Sequence, residues 1–368
     1  MFCRNIYVEN FRNIEQADVE FCEGVNVLIG ENAQGKTNLL EAIYITALGK
    51  SFRQGTDKDV IQFDKDYCFV KNNYRDDIRD MEINMRIFSD RRAKRVEQNK
   101  VRIARTSEMV GCFKVVLFCP EHLSIIKEGP SGRRNFLDVA ISQIRPLYMR
   151  SLQRYLTILK ERNALIRSYE ENKAAFDSTI DIFSEQLAHE AALITNYRVK
   201  YIDRLKKYVS ACFLDMTGER ELPALEYKSS SKLTEDECFD ISECEDAYRE
   251  LYSSNYQREI SAGATLWGIH KDDVEIQLNG LGARIFASQG QQRSLSLALK
   301  LAEGEIIREE RGGDYPVFLF DDVLSELDGG RREYLLSNLV GKQVILTCCE
   351  KNDIVADKLI CVKDGKFT

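Results

Sequence analysis

Between Val25 and Gly49 the chain reads VNVLIGENAQGKTNLLEAIYITALG, and Gly30-Glu-Asn-Ala-Gln-Gly35-Lys36-Thr37 within it fits GxxxxGK[ST]. No other stretch narrows the fold as much. The pattern demands a buried strand ending at the first glycine and a helix starting at the lysine. Between them, glycines let backbone N–H groups converge on phosphate oxygens, and the helix N-terminus adds its dipole. Lys36 supplies a point charge for the β- and γ-phosphates, and the Thr37 hydroxyl is a ligand for Mg²⁺. The flanks agree. VNVLI is a short apolar run, and Leu39, Leu40, Ile43, Ala47 and Leu48 mark a helical face closed by Gly49.

A phosphate loop leaves a metal ion unoriented unless a carboxylate ends a neighbouring buried strand. The stretch YPVFLFDDVLSELD provides an apolar strand, Val317 to Phe320, followed by Asp321 and Asp322. Asp321 is placed to hold Mg²⁺ through water, and Asp322 to polarise an attacking water. An aspartate there also suits a helix N-cap; the phosphate loop favours the metal role. A third element, SQGQQRSLSLALKLAEGEIIREE, runs from Ser288 to Glu310. Ser-x-Gly-Gln at a helix start offers a hydroxyl, a small residue for close approach and free N–H groups, which make a second anion site. The alternation Leu295, Leu297, Leu299, Leu301 fits a strand too, but Ala298, Ala302 and the length favour a helix. Two γ-phosphate sites in one chain make sense when the second serves another molecule's nucleotide.

The rest of the chain reads as an α/β body split by a mostly helical insertion. Met81 to Ala104 has the pattern of a hairpin, with MEINMRIF outward, SDRR turning and AKRVEQNKVRIA returning. From Phe136 to about Cys212 apolar residues recur every three or four positions, which predicts a pair of long helices. The polar, acidic KSSSKLTEDECFDISECEDAYRE is expected at the surface before a helix, and ATLWGIHKDDVEIQLNG is strand-like. Eleven cysteines without a CxxC pair, beside only three histidines, leave no zinc constellation and suit reduced thiols in the core. No apolar run is long enough to cross a bilayer, and MFCRNIYVENFRNI lacks a secretory signal's hydrophobic core, so a cytoplasmic protein is expected.

A formal net charge of −7 argues against a protein wrapped all over in nucleic acid but leaves room for a local basic face. DRRAKRVEQNKVRIAR concentrates Arg91, Arg92, Lys94, Arg95, Lys100, Arg102 and Arg105, and Arg133 and Arg134 form a second candidate. On charge alone, guarding of a strand edge accounts for the hairpin charges better than phosphate neutralisation, and only the resemblance given below makes the two equal. For Arg133 and Arg134, intrachain pairing with carboxylates is an equal alternative. No base-reading motif is visible, so sequence-specific recognition is not expected.

The phosphate loop, Ser-x-Gly-Gln helix, Asp-Asp strand and SELD together resemble the ABC-type ATPase head of the SMC/Rad50 kind. There, the signature helix of one subunit closes on the ATP of the other. The resemblance implies that Gly30, Glu31, Asn32, Ala33, Gln34, Gly35, Lys36, Thr37 and Asn38 surround ATP and that Lys36 is catalytic. It places Ser288, Gly290 and Gln291 in the signature, makes Thr37 and Asp321 the Mg²⁺ ligands, and sets Asp322 where a catalytic glutamate is usual. Ser325, Leu327 and Asp328 fall on a loop that crosses the dimer interface, with Asp328 near the nucleotide.

In order along the chain, NFRNI, LGKSFR, GPSGRRNFLD, GIHKDD and DDVLSELD resemble the RecF family of recombination mediators. That resemblance implies an ABC-type lobe over residues 1–130 and 265–368 and an inserted helical arm over 131–264. It implies a weak, DNA-stimulated ATPase using ATP and Mg²⁺, with ATP-dependent homodimers closing on double-stranded DNA or single-strand/double-strand junctions. A RecR-like mediator as partner and roles in recombinational repair, replication-fork maintenance and the SOS response follow from it. An ATP-switched protein-interaction module that does not act on DNA is the alternative. Two departures stand out. QVILTCCE carries Thr347, Cys348 and Cys349 where many ABC proteins have a switch histidine, and no Q-loop glutamine can be placed.

Overall fold

Alternation of apolar and polar residues makes the N-terminal strands one-sided, and they associate accordingly. In the computed structural model, which describes residues 1–76, 78–123, 125–218, 221–349 and 355–368, the chain divides into two compact units. Residues Met1–Ser124 and Arg293–Thr368 form the first, and Ile125–Gln292 the second.

The first unit holds two sheets. β1 (Phe2–Phe11), β2 (Ile14–Glu20), β4 (Tyr67–Arg75), β5 (Asp80–Phe88), β6 (Arg95–Gln98) and β7 (Val101–Ile103) pair antiparallel in the order β2-β1-β4-β5-β6-β7. Ile6, Val8, Val70, Ile83 and Met85 are fully buried on one face, and the alternate residues face water. The expected single return strand after SDRR is two strands. Asn99 and Lys100 both take positive φ, 49° and 66°, and close a two-residue loop between the paired Gln98 and Val101. That backbone matches a type I′ turn, which right-twisted strands favour.

The second sheet runs β15-β14-β3-β13-β12-β8. It contains β3 (Val25–Ile29), β8 (Val115–Phe118), β12 (Val317–Phe320), β13 (Val344–Cys348), β14 (Lys358–Lys363) and β15 (Lys366–Phe367). All neighbours are parallel except β14 and β15. β8, β12 and β13 are buried along their whole length, the reason they read as unbroken apolar runs. α1 (Lys36–Leu48) is buried at every position from Leu39 to Leu48, all round rather than on the one expected face. The unit also contains the short α2 (Pro120–Leu123) and α10 (Gly329–Asn338).

The second unit is built on α3 (Pro130–Ile144), α4 (Pro146–Arg167) and α5 (Lys173–Thr217). Three helices therefore replace the expected pair. Pro146 has no N–H to continue α3 and instead occupies the first turn of α4. α6 (Ile241–Ser254) begins inside the acidic stretch rather than after it, capped by Asp240, whose carboxylate accepts the N–H groups of Ser242 and Glu243. α7 (Tyr256–Ala262) ends at Gly263. β9 (Pro223–Lys228), β10 (Asp273–Leu278) and β11 (Leu281–Gly282) make a small antiparallel sheet, and α8 (Ala283–Phe286) follows.

That sheet corrects the expected boundary of the insertion. β10 pairs with β9 from Asp273↔Lys228 to Leu278↔Pro223, so residues 265–292 belong with the helical unit rather than the ATPase lobe. The motifs GPSGRRNFLD and GIHKDD meet inside it. The Arg133 guanidinium donates to both Asp273 oxygens, at 2.8 and 2.9 Å. The buried Arg198 donates to Asp138 at 2.8 Å, to the Tyr148 hydroxyl at 3.1 Å and to the Ile269 carbonyl at 2.8 Å. Burial pushes the Asp272 carboxyl up, while Arg198, the Tyr227 hydroxyl and the Ser230 N–H pull it down.

Candidate nucleotide site

The phosphate loop joins β3 to α1, and its backbone is set by glycine where nothing else fits. A Cβ on Gly30 would lie 2.2 Å from the Val362 carbonyl oxygen of β14, and Gly35 holds φ at +113°. Side chains from outside the motif tie the loop down. Asn13, from NFRNI, donates to the Ala33 carbonyl at 3.0 Å and accepts from the Asn38 amide at 2.7 Å. On the other flank the Asp364 N–H donates to Gln34 Oε1 at 2.6 Å, and the Gly365 N–H to the Gln34 carbonyl at 2.9 Å.

Lys36, almost fully buried, donates its ammonium protons to the carbonyls of Gly30 and Glu31, the latter at 2.9 Å, with Cys349 Sγ at 3.7 Å. It is thus folded back over the loop it serves. Glu41, completely buried one turn along α1, is gripped by Arg12 through bonds of 2.7 and 3.1 Å. The Ser51 hydroxyl also donates to it, and Arg53 from LGKSFR pairs with it at 3.4 Å while donating to Asn38 at 2.9 Å.

The Thr37 hydroxyl donates to Asp321 Oδ1 at 2.7 Å, so the start of α1 and the end of β12 meet in one hydrogen bond. Thr347, from the neighbouring β13, donates to the same oxygen at 3.0 Å and accepts the Asp322 N–H at 2.9 Å. Burial raises the Asp321 carboxyl's pKa, against the two hydroxyls and the Arg53 charge, which lower it. Asp322 sits at φ +51°, an unusual backbone for a non-glycine residue, and the Ser325 hydroxyl donates to its carbonyl at 2.7 Å. Strained positions of this kind gather at functional sites.

These residues surround a cleft of about 150 Å³ lined by Asn32 to Asn38, Arg53, Asp322 and Thr347. Its donor set, a threonine hydroxyl beside a carboxylate, is the hard-oxygen chemistry that suits Mg²⁺. Among the described residues, no cluster of three or more histidine, cysteine or carboxylate side chains offers a rival metal site. Arg12, Asn13, Glu41, Arg53 and Thr347 escaped the sequence reading as site residues. Arg12, Asn13 and Arg53 are signalled only by membership of NFRNI and LGKSFR, motifs without an assigned contact. Thr347 stands out only as occupying the place where a switch histidine is usual, and Glu41 carries no signal beyond its place in the helix after the loop. Glu350, the last residue of QVILTCCE, lies outside the described residues.

Ser288, Gly290 and Gln291 begin α9 (Gln289–Glu310), in the second unit. Ser288 is exposed, and with Gln291 it forms a reciprocal cap. Its N–H donates to Gln291 Oε1 at 2.6 Å, and its hydroxyl accepts the Gln291 N–H at 3.3 Å. The Gln291 amide also donates to Glu221. Asp328 caps α10, accepting the Arg331 N–H at 3.0 Å and pairing with its guanidinium.

The basic candidates separate. Arg133 is buried and paired with Asp273, the intrachain alternative left open for it, and leaving that pair to meet DNA would strand a buried charge. Arg134 donates to the Asp272 carbonyl at 2.8 Å. Lys94 is held by Asp57 and the Gly49 carbonyl, both at 2.6 Å. Arg91, Arg92 and Arg95 are exposed, the last two beside Asp90 and Glu97. No helix among the described residues is long and apolar enough to cross a membrane.

The family model described as RecF/RecN/SMC N terminal domain matches residues 2–365. The chain is 39% identical to the DNA replication and repair protein RecF of Clostridium acetobutylicum, covering 96% of this chain and 94% of that protein. Identity to RecF of an Exiguobacterium species is 38%, over 100% and 98% of the two. A solved structure of the recombination mediator protein RecF with ATP is 35% identical and superposes with a TM-score of 0.93, over 100% of this chain and 97% of that one. An SMC head from Pyrococcus furiosus, 16% identical with a TM-score of 0.57 over 100% and 95% of the chains, shares the fold. Matches that run almost end to end in both sequence and backbone leave one conclusion: the chain belongs to the RecF family of DNA replication and repair proteins, within the SMC-related ABC-type ATPases.

Proposed function

We propose that the protein is an ATP-gated DNA clamp, a weak, DNA-stimulated ATPase that closes as a homodimer and opens on hydrolysis. The hydrogen bond between Thr37 and Asp321 carries this reading, because it brings a phosphate-binding helix and a strand-end carboxylate to one cleft. Thr37 and Asp321 would hold Mg²⁺, whose bound charge offsets that developing on the phosphates. Backbone N–H groups of residues 31–37 and the Lys36 ammonium bind and orient the triphosphate, exchanging the loop carbonyls for phosphate oxygens. Asp322, fixed by Thr347 and Ser325, orients the attacking water. Ser288, exposed, and Gly290, partly exposed, fit a role on a second copy's γ-phosphate.

The relatives are DNA replication and repair proteins, and the RecF of the solved ATP-bound structure is a recombination mediator of the RecFOR pathway. Both support a site of action in recombinational repair and replication-fork maintenance. Double-stranded DNA or a single-strand/double-strand junction is the nucleic acid, a RecR-like mediator the protein partner, and recombinase loading with SOS signalling the outcome. Sizing the protein by light scattering with and without ATP and Mg²⁺ tests the reading. Dimers that need ATP and disappear in Ser288→Arg are expected. A monomer at saturating ATP refutes it.

A further inference from the structure

The outer face of the antiparallel sheet carries an array that the nucleotide site does not use. Phe69 and Arg86 are cross-strand partners on β4 and β5, as are Tyr67 and Phe88. Tyr7 on β1 lies with its ring centre 6.1 Å from that of Phe69. The Arg86 guanidinium sits 4.9 Å from the Tyr67 ring centre and 5.4 Å from that of Phe69, and Arg92 lies 4.0 Å over Phe88. All four rings are partly open to solvent, and Arg86 is exposed.

Charge on this face is largely settled internally. Lys71 pairs with Glu82, Arg95 with Glu97 and Arg92 with Asp90, while Glu9 accepts the Tyr67 hydroxyl proton at 2.6 Å. No carboxylate among the described residues pairs with Arg86, whose N–H groups are left to a ligand. The array runs into the basic loop 89–94 at Phe88 and Arg92. At the same sheet end, where the Ser89 N–H donates to the Asp66 carbonyl at 2.9 Å, the loop 61–66 exposes Phe63 by 93%.

Cross-strand aromatic pairing alone stabilises a sheet and accounts for two neighbouring rings. It does not account for an unpaired guanidinium stacked on two of them or for a phenylalanine held out in water. Aromatic faces interleaved with arginine suit unpaired nucleobases and their phosphates, since every base offers a π-face. We propose that this sheet face is a stacking platform for single-stranded DNA, the unpaired arm of the junction, with Tyr67, Phe69 and Phe63 contacting bases and Arg86 a phosphate. The inference rests on the DNA-binding reading and adds a site to it.

Fluorescence anisotropy with a labelled oligothymidylate, an abasic strand of equal length and a blunt duplex tests the proposal, in the presence of ATP and Mg²⁺ and across a salt series. The oligothymidylate is expected to bind at least tenfold more tightly than the abasic strand. Tyr67→Leu and Phe69→Leu should each lower that affinity by roughly tenfold while leaving duplex and ATP binding intact. Tyr67→Phe, which keeps the ring, should bind like the parent and guards against a folding defect in the leucine variants. Arg86→Gln should reduce the salt slope for the single strand by about 0.7. Equal binding of abasic and thymidine strands, or leucine variants that lose nothing or lose duplex binding equally, overturns the platform alone. A parent protein that binds none of the three overturns the DNA reading with it.

Discussion

Arg12 grips Glu41 through two hydrogen bonds, of 2.7 and 3.1 Å, and so fastens the turn after β1 to the helix that follows the phosphate loop. Glu41 is completely buried, and its remaining partners are the Ser51 hydroxyl and Arg53. Arg12→Ala should destabilise the protein by about 3 kcal/mol, because it leaves a buried carboxylate short of its main counter-charge. Adding Glu41→Gln should restore part of the loss. Chemical denaturation of the four proteins of this double-mutant cycle checks it; additive losses would show that the two residues do not act as a pair.

Thr347 touches both aspartates of the site, one by donating and one by accepting. Thr347→Val keeps the shape and removes both bonds. ATP hydrolysis is expected to fall by about 10- to 100-fold, the range for loss of a group that orients metal-site residues, with ATP affinity little changed. Thr347→Ser should retain most activity. Single-turnover hydrolysis beside equilibrium ATP binding separates the two effects.

Lys36 is enclosed by loop carbonyls and leaves little room for a broader head group. In Lys36→Arg the guanidinium still supplies charge to the phosphates but not the compact ammonium geometry. ATP binding should survive, hydrolysis should drop by roughly 100-fold, and ATP-bound dimers should persist longer. Normal turnover in this variant would remove Lys36 from the catalytic machinery.

His270 is half-buried in the second unit, its Nδ1 at 2.7 Å from the Tyr155 hydroxyl and its Nε2 at 3.2 Å from the Thr265 carbonyl. Burial first, then the Lys271, Arg134 and Arg162 charges, lower its pKa to about 4. Unfolded, it takes up a proton near pH 6.5, so the unfolded state binds more protons between pH 6.5 and 4. Stability from this group is complete above pH 6.5 and drains as pH falls through that window, by up to about 1.4 kcal/mol per unit. His122, lowered to about 3, adds the same sign, whereas buried Asp272 and Glu303, held up by desolvation, oppose it. Urea melts at pH 7.5 and pH 5 should therefore differ less in His270→Gln than in the parent.

The phosphate loop, the apolar strand with its two aspartates and the serine-headed helix were legible because each is a local pattern with a local physical demand. Arg12, Asn13 and Arg53 were not, since nothing about an arginine or asparagine in a turn reveals which distant helix it will hold. Arg133 stayed open between DNA and an intrachain partner for the same reason. Its partner Asp273 lies 140 residues away, and only pairing turns a surface-type residue into a buried one. The boundary of the insertion slipped because β10 looks like any strand until β9 is found beside it. Within AKRVEQNKVRIA the extra turn was hidden by chemistry: Asn99 and Lys100 adopt positive φ without the glycine that usually announces it.

Gln34 is fastened by Asp364 and Gly365 across 330 positions of sequence, and β3 is flanked on both sides by strands formed after residue 343. During synthesis the nucleotide loop therefore leaves the ribosome long before the chain that braces it. A nascent or prematurely terminated polypeptide has the loop's sequence but lacks these braces.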